Sequence, residues 1–184
     1  MNYHKTDIHR RILRDIALRV ELLFNDRDED ISEYDVQAFQ SLFLRRYLKN
    51  TDFKVHRESF GKYDCAIAIK ETNTPIVLYE LKTYLKKKEK LNTKTQLKRI
   101  NNDLCKLIDG INNNPDCRGY FILVCRRNHL KELSNGFKFI QNSLDNKKNW
   151  ITLTIESKSF KLRPSRKVVD IGHIRVFSWE VIEA

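Results

Sequence analysis

Three charged residues interrupt a stretch of the chain that otherwise has the pattern of two buried strands. Within residues 63–84, two short apolar runs flank a polar turn at 70–75, which is typical of a β-hairpin. Glu80 and Lys82 stand in the second run, so alternation places them on one face of the sheet. Asp64 begins the first run and can reach the same place.

These residue types at one place indicate metal-assisted chemistry. Two converging carboxylates repel each other unless a cation lies between them, and oxygen ligands select a hard ion such as Mg²⁺. A lysine beside that ion can hold or deprotonate an attacking water, or meet the charge that builds on a phosphate being cleaved. The alternative is structural: Asp64 ends a turn, and Glu80 and Lys82 form a same-face ion pair on an edge strand. The apolar run before Glu80 and the matching aspartate favour catalysis.

The motif resembles that of the PD-(D/E)XK nuclease superfamily, which has the restriction-endonuclease-like fold. Asp64, a gap of fifteen residues and Glu80-Leu81-Lys82 carry the resemblance, with Tyr63 replacing the nominal proline. It covers roughly residues 30–126. The resemblance implies an α/β (α+β) fold with a central mixed sheet flanked by helices, and a nuclease that uses Mg²⁺ or its substitute Mn²⁺.

The resemblance also implies roles for individual residues. Asp64 and Glu80 are expected to bind the metal with the backbone carbonyl of Leu81, while Lys82 positions the water and stabilises charge. Glu33 lies on the helix before the first strand, where related nucleases carry a glutamate that binds a second ion or orients the lysine. Its alternative is a helix cap or a favourable charge in the first helical turn.

Gln96 resembles a glutamine that related nucleases place near the catalytic lysine, and its alternative is a plain surface amide. The downstream region is strongly basic and is expected to line the DNA backbone. Its candidate DNA-binding residues are Lys86, Lys87, Lys88, Lys90, Lys94, Lys98 and Arg99. A solvated loop is the alternative. A second basic segment, equally a DNA-contact loop or a surface connection, contains Lys158, Lys161, Arg163, Arg166 and Lys167.

Hydrophobic periodicity places these residues on predicted elements. Amphipathic helices are predicted at 3–24, from 30–32 to 48 with a buried stripe of Val36, Phe39, Phe43 and Tyr47, at 92–110 with a stripe beginning at Leu97, and at 128–144. Strands beyond the hairpin are predicted at 53–58, 119–125, 150–155 and 174–182, the last two as sheet edges or an appended β-element. Cys65 and Cys125 fall within apolar strands and are expected to be buried thiols, which disfavours a zinc site or disulfides.

The 184 residues suit one domain, with a core at about 30–145 and a C-terminal β extension at 146–184. No apolar run approaches a membrane span and no signal peptide is evident, so we expect a cytoplasmic protein without a membrane partner. The formal net charge of +11 favours a polyanionic partner.

The sequence-based hypothesis is a Mg²⁺-dependent endonuclease that cleaves double-stranded DNA, as restriction enzymes do. One active site cuts one strand, so double-strand cleavage requires a homodimer or a heterodimer with a larger recognition subunit. A structure-selective repair or junction-resolving nuclease is an alternative within the enzyme class. A DNA-binding module with a decayed nuclease site is the non-enzymatic alternative.

Overall fold

A mixed β-sheet covered by helices on both faces organises the chain. The computed structural model describes residues 5–26, 30–58, 63–86, 93–144, 150–155, 158–164 and 168–183. Within these residues the helices are α1 (Lys5–Asp26), α2 (Glu33–Tyr47), α3 (Thr93–Asn112), α4 (Leu130–Gly136) and α5 (Lys138–Leu144). The strands are β1 (Phe53–Arg57), β2 (Cys65–Ile69), β3 (Pro75–Tyr84), β4 (Arg118–Arg126), β5 (Ile151–Ile155), β6 (Lys158–Pro164), β7 (Val169–Ile171) and β8 (Ile174–Glu183).

The sheet has the order β1-β2-β3-β4-β8-β6-β5, and β7 pairs with β8. Strands β2 and β3 form the predicted antiparallel hairpin, whereas β3 and β4 are parallel and are connected through α3. A parallel pair needs such a crossover, since a tight turn cannot join two strands that run the same way. The mixed α/β fold class expected from the sequence is confirmed.

Strand β3 lies inside the sheet between β2 and β4, and each of its two faces packs into a hydrophobic core. Val77, Tyr79 and Leu81 pack into the core beneath α1 and α2. Leu78 and Tyr84 pack into the opposite core with residues of α3. Alternation therefore places Glu80 and Lys82 on one shared face, as predicted, and α3 covers that face.

Helix α2 begins in a capping box. The Ser32 hydroxyl accepts a hydrogen bond from the Asp35 backbone, and the Asp35 carboxylate accepts one from the Ser32 backbone. The predicted buried stripe is only partly correct, because Phe39 and Tyr47 turn towards α1, where they contact Arg19 and Asp15. Like them, Phe43 is half-buried. The buried positions of α2 are Val36, Gln37, Gln40, Ser41 and Leu44.

Two further predictions need correction. The helix predicted at 128–144 is a 3₁₀ turn followed by α4 and α5, because Phe137 is extended with φ −134° and ψ 99° and follows Gly136. The second basic segment is largely strand: Lys158, Lys161 and Arg163 belong to β6 and are neither a loop nor a flexible connection. Arg166 and Lys167 lie outside the described residues.

The C-terminal strands complete the central sheet. Strand β8 pairs with β4 and β6, and its Trp179 is fully buried between the helices and the sheet on the α3 side. The described residues of β5, β6, β7 and β8 therefore pack into the two cores that the preceding part of the chain forms. Cys65 and Cys125 are buried thiols, as predicted. Among the described residues, no helix is both long enough and apolar enough to span a membrane.

Candidate active site

The candidate site forms where β2 ends and β3 continues. Cys65, the first residue of β2, pairs with Tyr79, so β3 runs on beyond its neighbour. Backbone groups on that side of β3 then need other partners. The Leu81 N–H donates to Asp64 Oδ2 at 2.7 Å, and the Thr83 N–H donates to the Glu33 carboxylate. The carboxylates of Asp64 and Glu33 thus accept the hydrogen bonds that a longer β2 would have accepted from β3.

Asp64 and Glu80 converge at this place. Their carboxyl groups lie within hydrogen-bonding range. The hydrogen bond with Glu80 favours the ionised form of Asp64, and the Asp64 charge in turn disfavours ionisation of Glu80. Glu80 is only 1% exposed, and its carboxyl group contacts the ammonium group of Lys106 on α3. Burial and then the neighbouring Asp64 raise the pKa of Glu80 to about 9. Burial also raises the pKa of Asp64, although its hydrogen bond from Leu81 opposes the shift.

Lys82 is clamped between helices α2 and α3. Its Nζ lies 3.0 Å from Glu33 Oε1 and 3.0 Å from Asp103 Oδ2. Burial alone would lower the pKa of Lys82, but Glu33 and Asp103 outweigh burial and raise the pKa above its ordinary value. Lys82 is therefore a fixed cation, which can stabilise negative charge but holds its proton tightly.

The structure excludes the edge-strand alternative for these residues. β3 is an interior strand, and the ion pairs of Glu80 and Lys82 are made with other elements. Glu33 starts α2, yet the capping box is closed by Asp35. The Glu33 carboxylate turns instead to Lys82 and to the backbone of Thr83. Burial raises the pKa of Glu33, and Lys82 opposes that shift.

Sequence reasoning missed two residues of the cluster, Asp103 and Lys106. They lie one turn apart on α3, beside the buried stripe of Ile100, Leu104 and Leu107. Lys106 also lies over the ring of Tyr63, whose hydroxyl donates to the Lys106 carbonyl at 3.0 Å. The sequence did carry a signal for them: an acidic and a basic residue flank the buried stripe of α3. That stripe faces the strand that carries Glu80 and Lys82, so the two charges lie within reach of it.

Gln96 is 8% exposed, so the surface-amide alternative is wrong. The predicted buried stripe of this helix began at Leu97, but Leu97 is exposed and Gln96 is the buried residue. Gln96 and Asp103 share one side of α3 and are separated by seven residues, or roughly 10 Å along the helix axis. Gln96 therefore stands near the start of α3, towards the end of β3, while Asp103 contacts Lys82 directly.

The basic residues downstream of β3 are only partly described. Lys86 is exposed after β3, and Lys94, Lys98 and Arg99 are exposed on the first turns of α3. Lys94 and Lys98 are one helical turn apart and share a solvent face. The remaining predicted DNA-binding residues, Lys87, Lys88 and Lys90, lie outside the described residues.

The cluster has the donor set and charge that suit a divalent cation. It combines four carboxyl groups with two ammonium groups, and full ionisation would leave two uncompensated negative charges. The four acids are Glu33, Asp64, Glu80 and Asp103, and the two bases are Lys82 and Lys106. Asp64 and Glu80 are hard oxygen donors, and the Leu81 carbonyl points to the Asp64 side because a strand residue directs its N–H and C=O the same way.

Within the described part of the chain, no group of three or more histidine, cysteine, aspartate or glutamate side chains is arranged to hold a metal ion. The candidate ligand set contains two carboxylates and a backbone carbonyl, and Glu33 would have to leave Lys82 to join it. Comparisons with protein-family models, curated proteins and solved structures found no match to the chain. A functional inference therefore depends on the residues of the cluster themselves.

Proposed function

We propose that the protein is a Mg²⁺-dependent endodeoxyribonuclease of the PD-(D/E)XK type. The observation that carries the proposal is the convergence of Asp64 and Glu80 next to the clamped Lys82. Ordinary structural burial does not favour two adjacent carboxyl groups, and strongly shifted pKa values concentrate at functional sites. The pKa of Glu80 is raised to about 9.

In this proposal Asp64, Glu80 and the Leu81 carbonyl hold Mg²⁺, with Mn²⁺ as a substitute. The bound ion supplies Lewis-acid activation of the phosphodiester and of a water molecule. Lys82 keeps its proton, orients the attacking water and stabilises the charge that develops on the phosphate. Glu33 orients Lys82 and can add an oxygen ligand for a second ion. Gln96 contributes at the edge of the site.

The net charge of +11 and the exposed Lys86, Lys94, Lys98 and Arg99 favour DNA as the polyanionic substrate. We propose cleavage of double-stranded DNA in the cytoplasm, with restriction-type cleavage as the leading subclass and cleavage at repair or junction structures as the alternative, which the charge does not separate. Since one cluster serves one strand, the active assembly is a homodimer or a heterodimer with a larger recognition subunit. Purified protein that cuts at a unique sequence by itself would support the homodimer.

The direct test is incubation of supercoiled plasmid with purified protein and Mg²⁺, with and without chelator, followed by sequencing of the ends. Wild-type protein should nick or cut the plasmid, and chelator should stop it. Lys82→Ala should reduce cleavage by at least about 100-fold, the usual effect of removing one charge-stabilising donor. DNA affinity should stay close to that of the wild type.

The matched control is Lys131→Ala, which removes an exposed lysine of α4. It should cleave as the wild type does. Cleavage by Lys82→Ala at the wild-type rate would refute the proposed role of the cluster. Absence of cleavage by the wild-type protein, together with DNA binding that does not change in Asp64→Ala, would instead support a DNA-binding module.

A further inference from the structure

A second feature lies beside the cluster: an exposed tyrosine stacked on an arginine. Tyr34 follows Glu33 in the first turn of α2 and is 61% exposed, although it is a large aromatic residue. The Arg57 guanidinium lies 3.8 Å from the centre of its ring. A second contact fixes the pair, since Arg57 Nη2 donates to the Tyr34 carbonyl at 3.2 Å.

Tyr34 and Arg57 each lie next to a residue of the candidate active site or next to its chain neighbour. Tyr34 is the chain neighbour of Glu33, whose carboxylate contacts Lys82. Arg57 ends β1 opposite Cys65, the chain neighbour of Asp64. The backbone of the next residue, Glu58, also bonds to the Asp64 carbonyl at 3.4 Å. The pair therefore lies next to Glu33 and Asp64, the two residues whose carboxylates accept hydrogen bonds from the β3 backbone where β2 has ended.

We propose that the Tyr34 ring, supported by Arg57, stacks on an unpaired base of the substrate next to the bond that is cleaved. An exposed aromatic ring offers every base a flat apolar surface, and the Arg57 guanidinium holds the Tyr34 ring in place for such a contact. Bases inside an intact duplex are already stacked on their neighbours and are not open to this contact. The favoured substrate class is thus DNA with unpaired nucleotides at the cut site.

This inference rests on the proposed nuclease function and deepens it, because it favours the structure-selective alternative over cleavage of uniform duplex. Net charge cannot make this distinction, since both substrates carry phosphates. A stacking surface can, because it depends on whether the base is free.

Fluorescence anisotropy with labelled oligonucleotides tests the inference without cleavage. The probes are a single strand, the matching duplex and the same duplex with a short unpaired gap, all measured in EDTA. Tyr34→Ala should weaken binding to the single strand and the gapped duplex by about ten-fold, within the usual effect of losing one stacked base. Affinity for the intact duplex should change less than two-fold. Tyr34→Phe keeps the ring and should bind as the wild type does.

The matched control is Trp150→Ala. Trp150 is also exposed, at 42%, and also carries an arginine, Arg163, 5.1 Å from its ring centre. It adjoins β5 at the far edge of the sheet, three strands beyond β4, so its removal should not alter single-strand binding. Thermal unfolding of all variants checks that the substitutions leave the fold intact, as expected for exposed side chains.

Equal binding of single strands by Tyr34→Ala and wild type would overturn the inference, as would equal losses on duplex and single strand. These outcomes differ from failure of the proposed function. If plasmid and gapped DNA stay uncut in Mg²⁺ while Tyr34-dependent binding persists, the nuclease proposal fails and the base-stacking surface stands. If cleavage occurs and the affinity for single strands does not depend on Tyr34, the nuclease proposal holds and the base-stacking inference fails.

Discussion

The two faces of the sheet bury polar groups in opposite ways. Beneath α1, the His9 ring stacks on Tyr120 at 4.1 Å, and its Nε2 lies 2.9 Å from Ser178 Oγ. Burial lowers the pKa of His9 to about 4, so the cluster is neutral at pH 7. On the α3 face, Glu80 and Lys82 are surrounded by further charged groups.

This difference separates a structural cluster from a candidate functional one. The histidine cluster lowers its free energy by staying neutral and packing rings together. The acidic cluster keeps two carboxyl groups adjacent, so ionising both of them costs free energy unless a cation compensates. Substitutions in the first cluster should therefore affect folding, whereas substitutions in the second should affect activity.

The largest effect is expected from Asp64→Asn. Asn keeps an acceptor for the Leu81 N–H but loses the charge that binds a cation, so cleavage should fall by at least about 100-fold. Stability should be unchanged or raised, because burial already disfavours the ionised form of Asp64. Plasmid cleavage and thermal unfolding measure the two effects. Asp116→Asn, at an exposed turn, is the control, and a wild-type rate for Asp64→Asn would contradict the assignment.

Substitution in the histidine cluster should show the reverse pattern. His9→Ala loses the stack on Tyr120 and leaves a cavity, so the free energy of unfolding should fall by about 2–3 kcal/mol. Cleavage per folded molecule should not change. Chemical denaturation measures the loss, with the exposed His173→Ala as control. A loss of activity in His9→Ala without a loss of stability would contradict the proposed difference between the two clusters.

The sign of the pH effect follows from the lowered pKa of His9. Between about pH 6.5 and 4, the His9 imidazole is protonated in the unfolded chain but stays neutral in the native chain. The contribution of His9 to the free energy of unfolding therefore falls as the pH falls. The contribution is fully present above pH 6.5, and its loss is limited to about 3 kcal/mol. His9→Ala should show a weaker decline over this window in acid denaturation.

Much of the architecture follows from the sequence, because periodicity reports local burial. The hairpin, the shared face of Glu80 and Lys82, and α3 all follow from spacing. Asp103 and Lys106 do not, since their role depends on how α3 crosses β3. The break at Phe137 and the interior position of β8 also depend on tertiary pairing, which a local pattern does not encode.

A moderate effect is expected at Asp103, which we place as a positioning residue. Asp103→Asn leaves Lys82 held by Glu33, so the turnover rate should fall about ten-fold, as for other residues that orient a reactive group. Because Asp103 raises the pKa of Lys82, the basic limb of the pH–rate profile should move to lower pH. Asp103→Glu should restore part of the rate. A purely structural role would lower stability and leave the profile in place.

The smallest effect concerns Glu80 and stability. Its folded pKa of about 9 lies above the ordinary value, so its contribution to stability is fully present below pH 4.5 and is lost as the pH rises towards 9. Glu80→Gln removes that loss but also removes the charge that attracts Lys106, so the net gain in Tm at pH 8–9 should be a few degrees, with 1 kcal/mol corresponding to about 2–4 °C. Tm measured in EDTA across this range tests it. An unchanged or lower Tm at pH 9 would show that the Lys106 ion pair dominates.

Calorimetric titration with Mn²⁺ at pH 7.5 tests the convergence of Asp64 and Glu80 most directly. Wild-type protein should bind the ion with release of protons, because the raised pKa of Glu80 keeps that carboxyl protonated until a cation displaces the proton. Asp64→Asn and Glu80→Gln should each abolish the binding heat, while Glu132→Gln on the surface of α4 should not. Binding that persists unchanged in both site variants would show that the two carboxylates do not share an ion.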